Sequence, residues 1–174
     1  MKKIIALLSV AIIAMSSAFQ AKAIEDPWEK GTIVAGAMFG YYPGIGGALT
    51  GDYVLVDSWW MGHFTVGAQV NFRYWAISPN YSYNDFALAP RATYGLNITD
   101  KFEVHAGAMA GLGFRKWVYV STYSEEVDRN HQFGMCVGGL AGVRYFFTPN
   151  FGIAAEFNYS DYGPFSNVGV TFKF

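Results

Sequence analysis

Residues 63–76 read His-Phe-Thr-Val-Gly-Ala-Gln-Val-Asn-Phe-Arg-Tyr-Trp-Ala, and their alternation decides the fold. The odd positions His63, Thr65, Gly67, Gln69, Asn71, Arg73 and Trp75 form a largely polar face. The even positions Phe64, Val66, Ala68, Val70, Phe72, Tyr74 and Ala76 are all apolar. A period of two residues marks a strand whose two sides meet unlike surroundings.

The same period continues outward in both directions. In residues 85–96, Phe86, Leu88, Pro90, Ala92, Tyr94 and Leu96 oppose Asp85, Ala87, Ala89, Arg91, Thr93 and Gly95. In residues 102–118 the apolar face is broken only by Lys116, near the strand end, and the other face carries Glu103, His105, four residues of Gly or Met, Arg115 and Trp117. Residues 132–145 place Phe133, Met135, Val137, Ala141, Val143 and Tyr145 against Gln132, Cys136, Leu140 and Arg144. Residues 152–159 and 167–174 repeat the pattern, ending in Val168, Val170, Phe172 and Phe174 opposite Asn167, Gly169, Thr171 and Lys173. Two earlier strands, about 32–41 and 48–57, alternate less cleanly. The expected fold is all-β, a single eight-stranded antiparallel up-and-down transmembrane β-barrel, with six or ten strands as the alternatives if the first hairpin is misread.

The sign of the two faces indicates which one meets lipid. The polar faces combine charges with glycine and alanine, which suits a narrow interior, whereas the apolar faces carry large rings and aliphatics. Lipid outside and a polar lumen inside follows. Backbone groups facing hydrocarbon must all be paired, so the sheet must close. A membrane helix is excluded: the best candidate, residues 31–51, is free of charge but holds seven glycines and Pro43, and each of these disfavours helix.

Composition agrees. Of 174 residues, 52% are hydrophobic and 18% aromatic, while only 14% are charged. The chain opens with Lys2 and Lys3, an apolar run over 4–14 and the small-residue site Ala21-Lys22-Ala23, the pattern of a secretory signal peptide. The expected organisation is a cleaved signal over 1–23, a periplasmic leader over 24–30 and the barrel over 31–174. Losing Lys2, Lys3 and Lys22 moves the net charge from −1 to −4, so no nucleic-acid partner is expected. Cys136 is the one cysteine, and His63, His105 and His131 lack metal-ligand spacing. No cofactor or metal is expected.

Short connections at 57–62, 97–101 and 148–150 read as periplasmic turns. The polar stretches 78–84 and 121–130 read as extracellular loops. Tyr41, Tyr42, Trp59, Trp60, Trp75, Trp117 and Tyr119 stand near strand ends, where aromatic belts would place them.

These features, with the segments Gly142-Val143-Arg144-Tyr145-Phe146-Phe147-Thr148, Asn150-Phe151-Gly152-Ile153-Ala154-Ala155-Glu156 and the terminal Val168-Gly169-Val170-Thr171-Phe172-Lys173-Phe174, resemble small outer-membrane β-barrel proteins of the OmpX/OmpA transmembrane-domain type. The resemblance covers the whole chain beyond the signal. It implies residence in the bacterial outer membrane among lipid and lipopolysaccharide, and insertion by the barrel-assembly machinery, with Phe172 and Phe174 as the assembly signal.

An eight-stranded barrel has an interior only wide enough for side chains to fill it. Asp52, Arg73, Arg91, Glu103, Arg115, Arg144, Glu156 and Lys173 are expected to line it as a network of paired charges. Glu156 is expected to pair with Arg144 across the 148–150 hairpin, with Arg91 the next candidate. The expected function is non-enzymatic, structural or adhesive. An extracellular ligand would be held through Tyr81, Tyr83, Tyr123, Glu125, Glu126, Asp128 and Arg129. A narrow ion or solute channel is the alternative. A lipid A-modifying enzyme is a weaker one, because no Ser-His-acid set can be aligned on adjacent strands.

Overall fold

The computed structural model describes residues 28–120 and 127–174. The expected signal peptide and the loop residues Tyr123, Glu125 and Glu126 lie outside the described residues. Eight strands follow in order: β1 (Ile33–Tyr41), β2 (Ile45–Trp59), β3 (Gly62–Ser78), β4 (Tyr81–Thr99), β5 (Phe102–Val120), β6 (Val127–Thr148), β7 (Phe151–Tyr159) and β8 (Ser166–Lys173). Each pairs antiparallel with the next, and β1 pairs with β8 to close the barrel.

The seam runs from Val34 opposite Lys173 to Tyr41 opposite Ser166. Below it, Ile33 N–H donates to the Phe174 carbonyl at 3.0 Å and Phe174 N–H donates back to Ile33 at 2.8 Å. Among the described residues, the strands are paired on both sides around the closed part of the wall, as lipid requires, and β6 above Gly139 pairs with β5 alone.

The alternation maps directly onto the wall. His63, Thr65, Gln69, Asn71 and Arg73 are buried inside, while Phe72, Leu88, Leu112, Phe133, Val137, Phe157 and Val168 are exposed on the outside. The first hairpin, the least regular in sequence, pairs in unbroken register from Ile33 opposite Tyr53 to Tyr41 opposite Ile45.

Strand lengths are uneven. β1, β7 and β8 have 9, 9 and 8 residues, near the ~9–11 that one bilayer crossing requires. β3 to β6 have 17, 19, 19 and 22. Their surplus lies at the end away from Trp28 and Phe174, so four strands rise as a wall above that rim.

This corrects the reading of 78–84 as a loop, and of residues 127–130 within the second stretch. β3 continues to Ser78 and β4 resumes at Tyr81, so Tyr81 and Tyr83 are strand residues, as are Asp128 and Arg129 of β6, opposite Tyr119 and Val118 of β5. Beyond lipid a strand needs no apolar face, and Tyr and Ser sustain pairing without one. Trp75 is not in an outer belt either. It stands on the lumen-side parity and stacks on its cross-strand partner Tyr83 at 4.4 Å and 15°.

A charge on the lipid face should be costly. Val66→Arg, near the middle of the β3 span, is expected to lower unfolding free energy by about 2–4 kcal/mol, measured by urea denaturation in phospholipid vesicles.

Candidate functional site

The lumen holds two charge clusters stacked along the barrel axis. In the lower one, Arg91 on β4 is the hub. Its Nε and Nη2 donate to Asp52 Oδ1 and Oδ2 on β2, both at 2.8 Å. Its Nη1 and Nη2 donate to Glu156 Oε2 and Oε1 on β7, both at 3.0 Å. Nη1 also donates to Gln69 Oε1 on β3 at 2.7 Å, and Gln69 Nε2 donates to Asn71 Oδ1 at 2.7 Å. Every guanidinium N–H group that Arg91 aims at an acid is buried, where such bonds are strong only if each partner is satisfied.

Arg144 on β6 completes this cluster. Its Nη1 lies 3.2 Å from both oxygens of Glu103 and its Nη2 donates to Asp52 Oδ2 at 2.8 Å. The expected Glu156–Arg144 pair is present as a longer contact of 3.8 Å, while Arg91, the second candidate, holds Glu156 more closely, at 3.0 Å. Register gives the reason. Glu156 is opposite Gly142, whereas Arg144 is opposite Ala154 on one side and directly opposite Glu103 on the other. His105 bridges the two glutamates, with Nε2 3.1 Å from Glu156 and Nδ1 3.5 Å from Glu103, and His63 Nε2 is 3.4 Å from Glu103. Three carboxylates thus face two guanidiniums and two imidazoles.

Glycines make room for these side chains. A Cβ at Gly142 would stand 2.6 Å from Glu156 Cγ and 2.8 Å from His105 Nε2, and one at Gly67 would stand 2.7 Å from Asp52 Oδ1.

The upper cluster centres on Asp85, which was not among the expected lumen charges. Arg73 Nε and Nη2 donate to its Oδ2 at 3.0 and 2.5 Å, and Arg115 Nε donates to its Oδ1 at 2.7 Å. The sequence did carry a signal: Asp85 opens the polar series of its strand, and it is opposite both Arg73 and Arg115.

Rings from outside the strands occupy both ends. Trp28, in the segment expected to be a periplasmic leader, is buried in the lower mouth and stacks on His63 at 4.1 Å and 8°. Lys173 Nζ lies 5.0 Å from the Trp28 ring and 4.3 Å from Phe146, so this lumen cation meets aromatic faces. At the other end Tyr162, from the β7–β8 connection, is buried against Ala87, Ala89, Met109 and Cys136. Nothing in a two-residue period could have announced either ring.

Outside the lumen, an open pocket of about 410 Å³ at the lower rim is lined by Trp59, Trp60, Phe64 and Tyr94. Tyr94 Oη–H donates to the Trp59 carbonyl at 2.8 Å. On the raised wall, Tyr81 lies 5.3 Å from Tyr83 on its own strand and 5.8 Å from its cross-strand partner Tyr119. Phe172 faces outward beside Phe151 at 5.4 Å and Phe174 at 6.5 Å. Among the described residues, no group of three or more His, Cys, Asp or Glu side chains is arranged to hold a metal ion.

No protein-family model matches the sequence, and neither does any curated protein. Solved structures do. The N-terminal β-barrel domain of Pseudomonas aeruginosa OprF is similar at 19% identity and a TM-score of 0.54, covering 83% of this chain and 98% of that one. The Yersinia pestis outer membrane protein Ail in a phospholipid bilayer nanodisc is similar at 15% identity and a TM-score of 0.49, over 84% of this chain and 100% of that one. Neisserial surface protein A is similar at 18% identity and a TM-score of 0.42, over 82% and 92%. The chain shares the eight-stranded fold of the OprF barrel domain.

Removing the hub should cost more than removing one spoke. Arg91→Met leaves Asp52 and Glu156 buried without their main partner and is expected to lose about 3–5 kcal/mol. Glu156→Gln should lose less, because Arg91 keeps Asp52; the order of the two urea midpoints checks this. Trp28→Ala should lose about 3–5 kcal/mol by emptying the lower mouth, read on the same scale.

Proposed function

We propose that the chain is an integral barrel of the bacterial outer membrane with a closed lumen, and that it acts by surface contact through its raised strands. It neither transports nor catalyses. The observation that carries the closed lumen is Arg91, which spans the interior from β4 to carboxylates on β2 and β7 with Arg144, Glu103, Gln69 and His105 filling the remaining section. In a lumen this narrow, paired charges act as a plug, because opening a path would leave buried ions without partners.

Membrane residence is supported by the exposed apolar belt, the closed backbone ladder and the fold shared with an OprF barrel domain. In that setting the end bearing Trp28 and Phe174 is periplasmic, and the surplus of β3 to β6 projects outside the cell. That wall carries Tyr81, Tyr83, Tyr119, Asp128 and Arg129, a mix of rings and charges suited to contact with a lipopolysaccharide layer or an extracellular ligand. Ail, a similar structure, has been solved in complex with the heparin analogue sucrose octasulfate. Phe172 and Phe174 serve as the signal read by the barrel-assembly machinery.

Two experiments separate the parts of this reading. The refolded chain in planar bilayers should be electrically silent, and Arg91→Ala should introduce discrete, salt-dependent steps. Stepwise conductance from the unaltered chain would refute the plug. Replacing residues 118–129 by a two-residue turn should leave heat-modifiable migration intact and abolish attachment of bacteria to a glycan-bearing surface. Unchanged attachment would refute the surface role.

A further inference from the structure

We propose that residues 160–165, which join β7 to β8, form a lid that lifts from the outer mouth and opens a blind vestibule ending at the Arg91 cluster. The segment is held in two different ways. At its base it is tied to strand ends: Asn158 N–H donates to the Phe165 carbonyl and Phe165 N–H to the Tyr42 carbonyl, both at 2.7 Å. At its tip it is latched to side chains. Arg73 Nη1 donates to the Gly163 carbonyl at 2.7 Å, and Asp161 carbonyl accepts from Arg73 Nη2 at 2.7 Å and from Arg115 Nη2 at 2.6 Å. A fixed base and a side-chain latch are what a hinged element needs.

Tyr162 is the bolt. It lies between Gly113 and Gly134, which are cross-strand partners on β5 and β6. A Cβ on Gly113 would stand 2.5 Å from the Tyr162 ring, and one on Gly134 would collide with its hydroxyl. The slot therefore exists only because both positions lack side chains.

The lid closes over groups that gain from opening. Asn71 Nδ2, both amide atoms of Asn158 and Asn167 Oδ1 are buried without a hydrogen-bond partner from the protein. They border the lower cluster: Asn71 and Asn158 are one inward step beyond Gln69 and Glu156, and Asn167 is opposite Glu156. A buried unsatisfied polar group is costly, and lifting the lid lets water reach these. Arg73 and Arg115 would give up their carbonyl acceptors to water at the mouth. Closure gains the burial of Tyr162 and opening gains the solvation of the amides, so the opposing terms leave both states accessible. With the lid raised, Asp161 leaves with it and two guanidiniums face only Asp85, which gives the vestibule a positive entrance.

Cys136, the chain's one cysteine, is buried beneath Tyr162 and reports on this directly. The full chain, refolded in detergent micelles so that both mouths are reachable, is treated with charged methanethiosulfonates, and disulfide formation at Cys136 with release of methanesulfinate is followed by mass. The unaltered protein should react slowly but to completion. Tyr162→Ala should react at least about tenfold faster, as loss of the bolt shifts the population toward the open state. Gly113→Ala should do the same without altering the lid, by expelling the ring; if it fails to fold, Tyr162→Ala decides. After correction for reactivity with the unfolded chain, a sulfonate-bearing reagent should outpace an ammonium-bearing one.

Complete protection of Cys136 in the folded protein over a day would make the segment a static plug and overturn the proposal. So would an unchanged rate in Tyr162→Ala, or acceleration by Trp28→Ala instead, which would place the entry at the lower mouth. Bilayer conductance tests the closure at Arg91, so the plug and the lid can fail independently.

Discussion

A guanidinium that reaches across the barrel ties together strands that never pair. Backbone ladders hold each strand only to its neighbours, but Arg91 on β4 binds acids on β2 and β7 and an amide on β3. Asp52 then serves Arg144 on β6 as well. In a water-poor interior these carboxylates would repel each other and resist burial were the two arginines absent. The small residues around them follow from the same constraint. Gly67 and Gly142 stand where a methyl group would strike Asp52 or Glu156, so these two glycines leave space that the ionic cluster occupies.

The architecture was legible in the chain because lipid and lumen impose opposite demands on successive residues. Once residues 63–76 set the parity, Arg91, Glu103, Arg144 and Glu156 could be placed inside without knowing any register. Their partners could not. Hairpin proximity favours Glu156 with Arg144, yet a two-residue offset leaves that pair at 3.8 Å, and the closer partner is Arg91, the second candidate, whose long side chain bridges a distance that no local pattern encodes. Tyr81, Tyr83, Asp128 and Arg129 look like loop residues for a related reason. A strand that has left the bilayer loses the alternation by which it was recognised, although its hydrogen bonds continue.

The two terminal rings were beyond sequence reading altogether. Trp28 and Tyr162 belong to short non-periodic segments whose direction is set by what receives them: His63, Phe146 and Lys173 below, a pair of facing glycines above. Each completes a cross-section that the strands leave unfilled. The lumen is thus filled from an aromatic floor through two ionic clusters to the Tyr162 ring at the other end.

The seam between β1 and β8 gives the molecule an order of construction. Ile33 and Phe174 exchange backbone hydrogen bonds, so the two ends of the wall meet at one point. Every other pairing is local and can form as a hairpin, but this one spans nearly the whole sequence and carries the largest loop-closure cost. Until it forms, the growing sheet has two raw edges that hydrocarbon cannot solvate. Half a barrel is therefore not a resting state in a membrane, and the pairing of β8 with β1 is the one that makes all the others tenable.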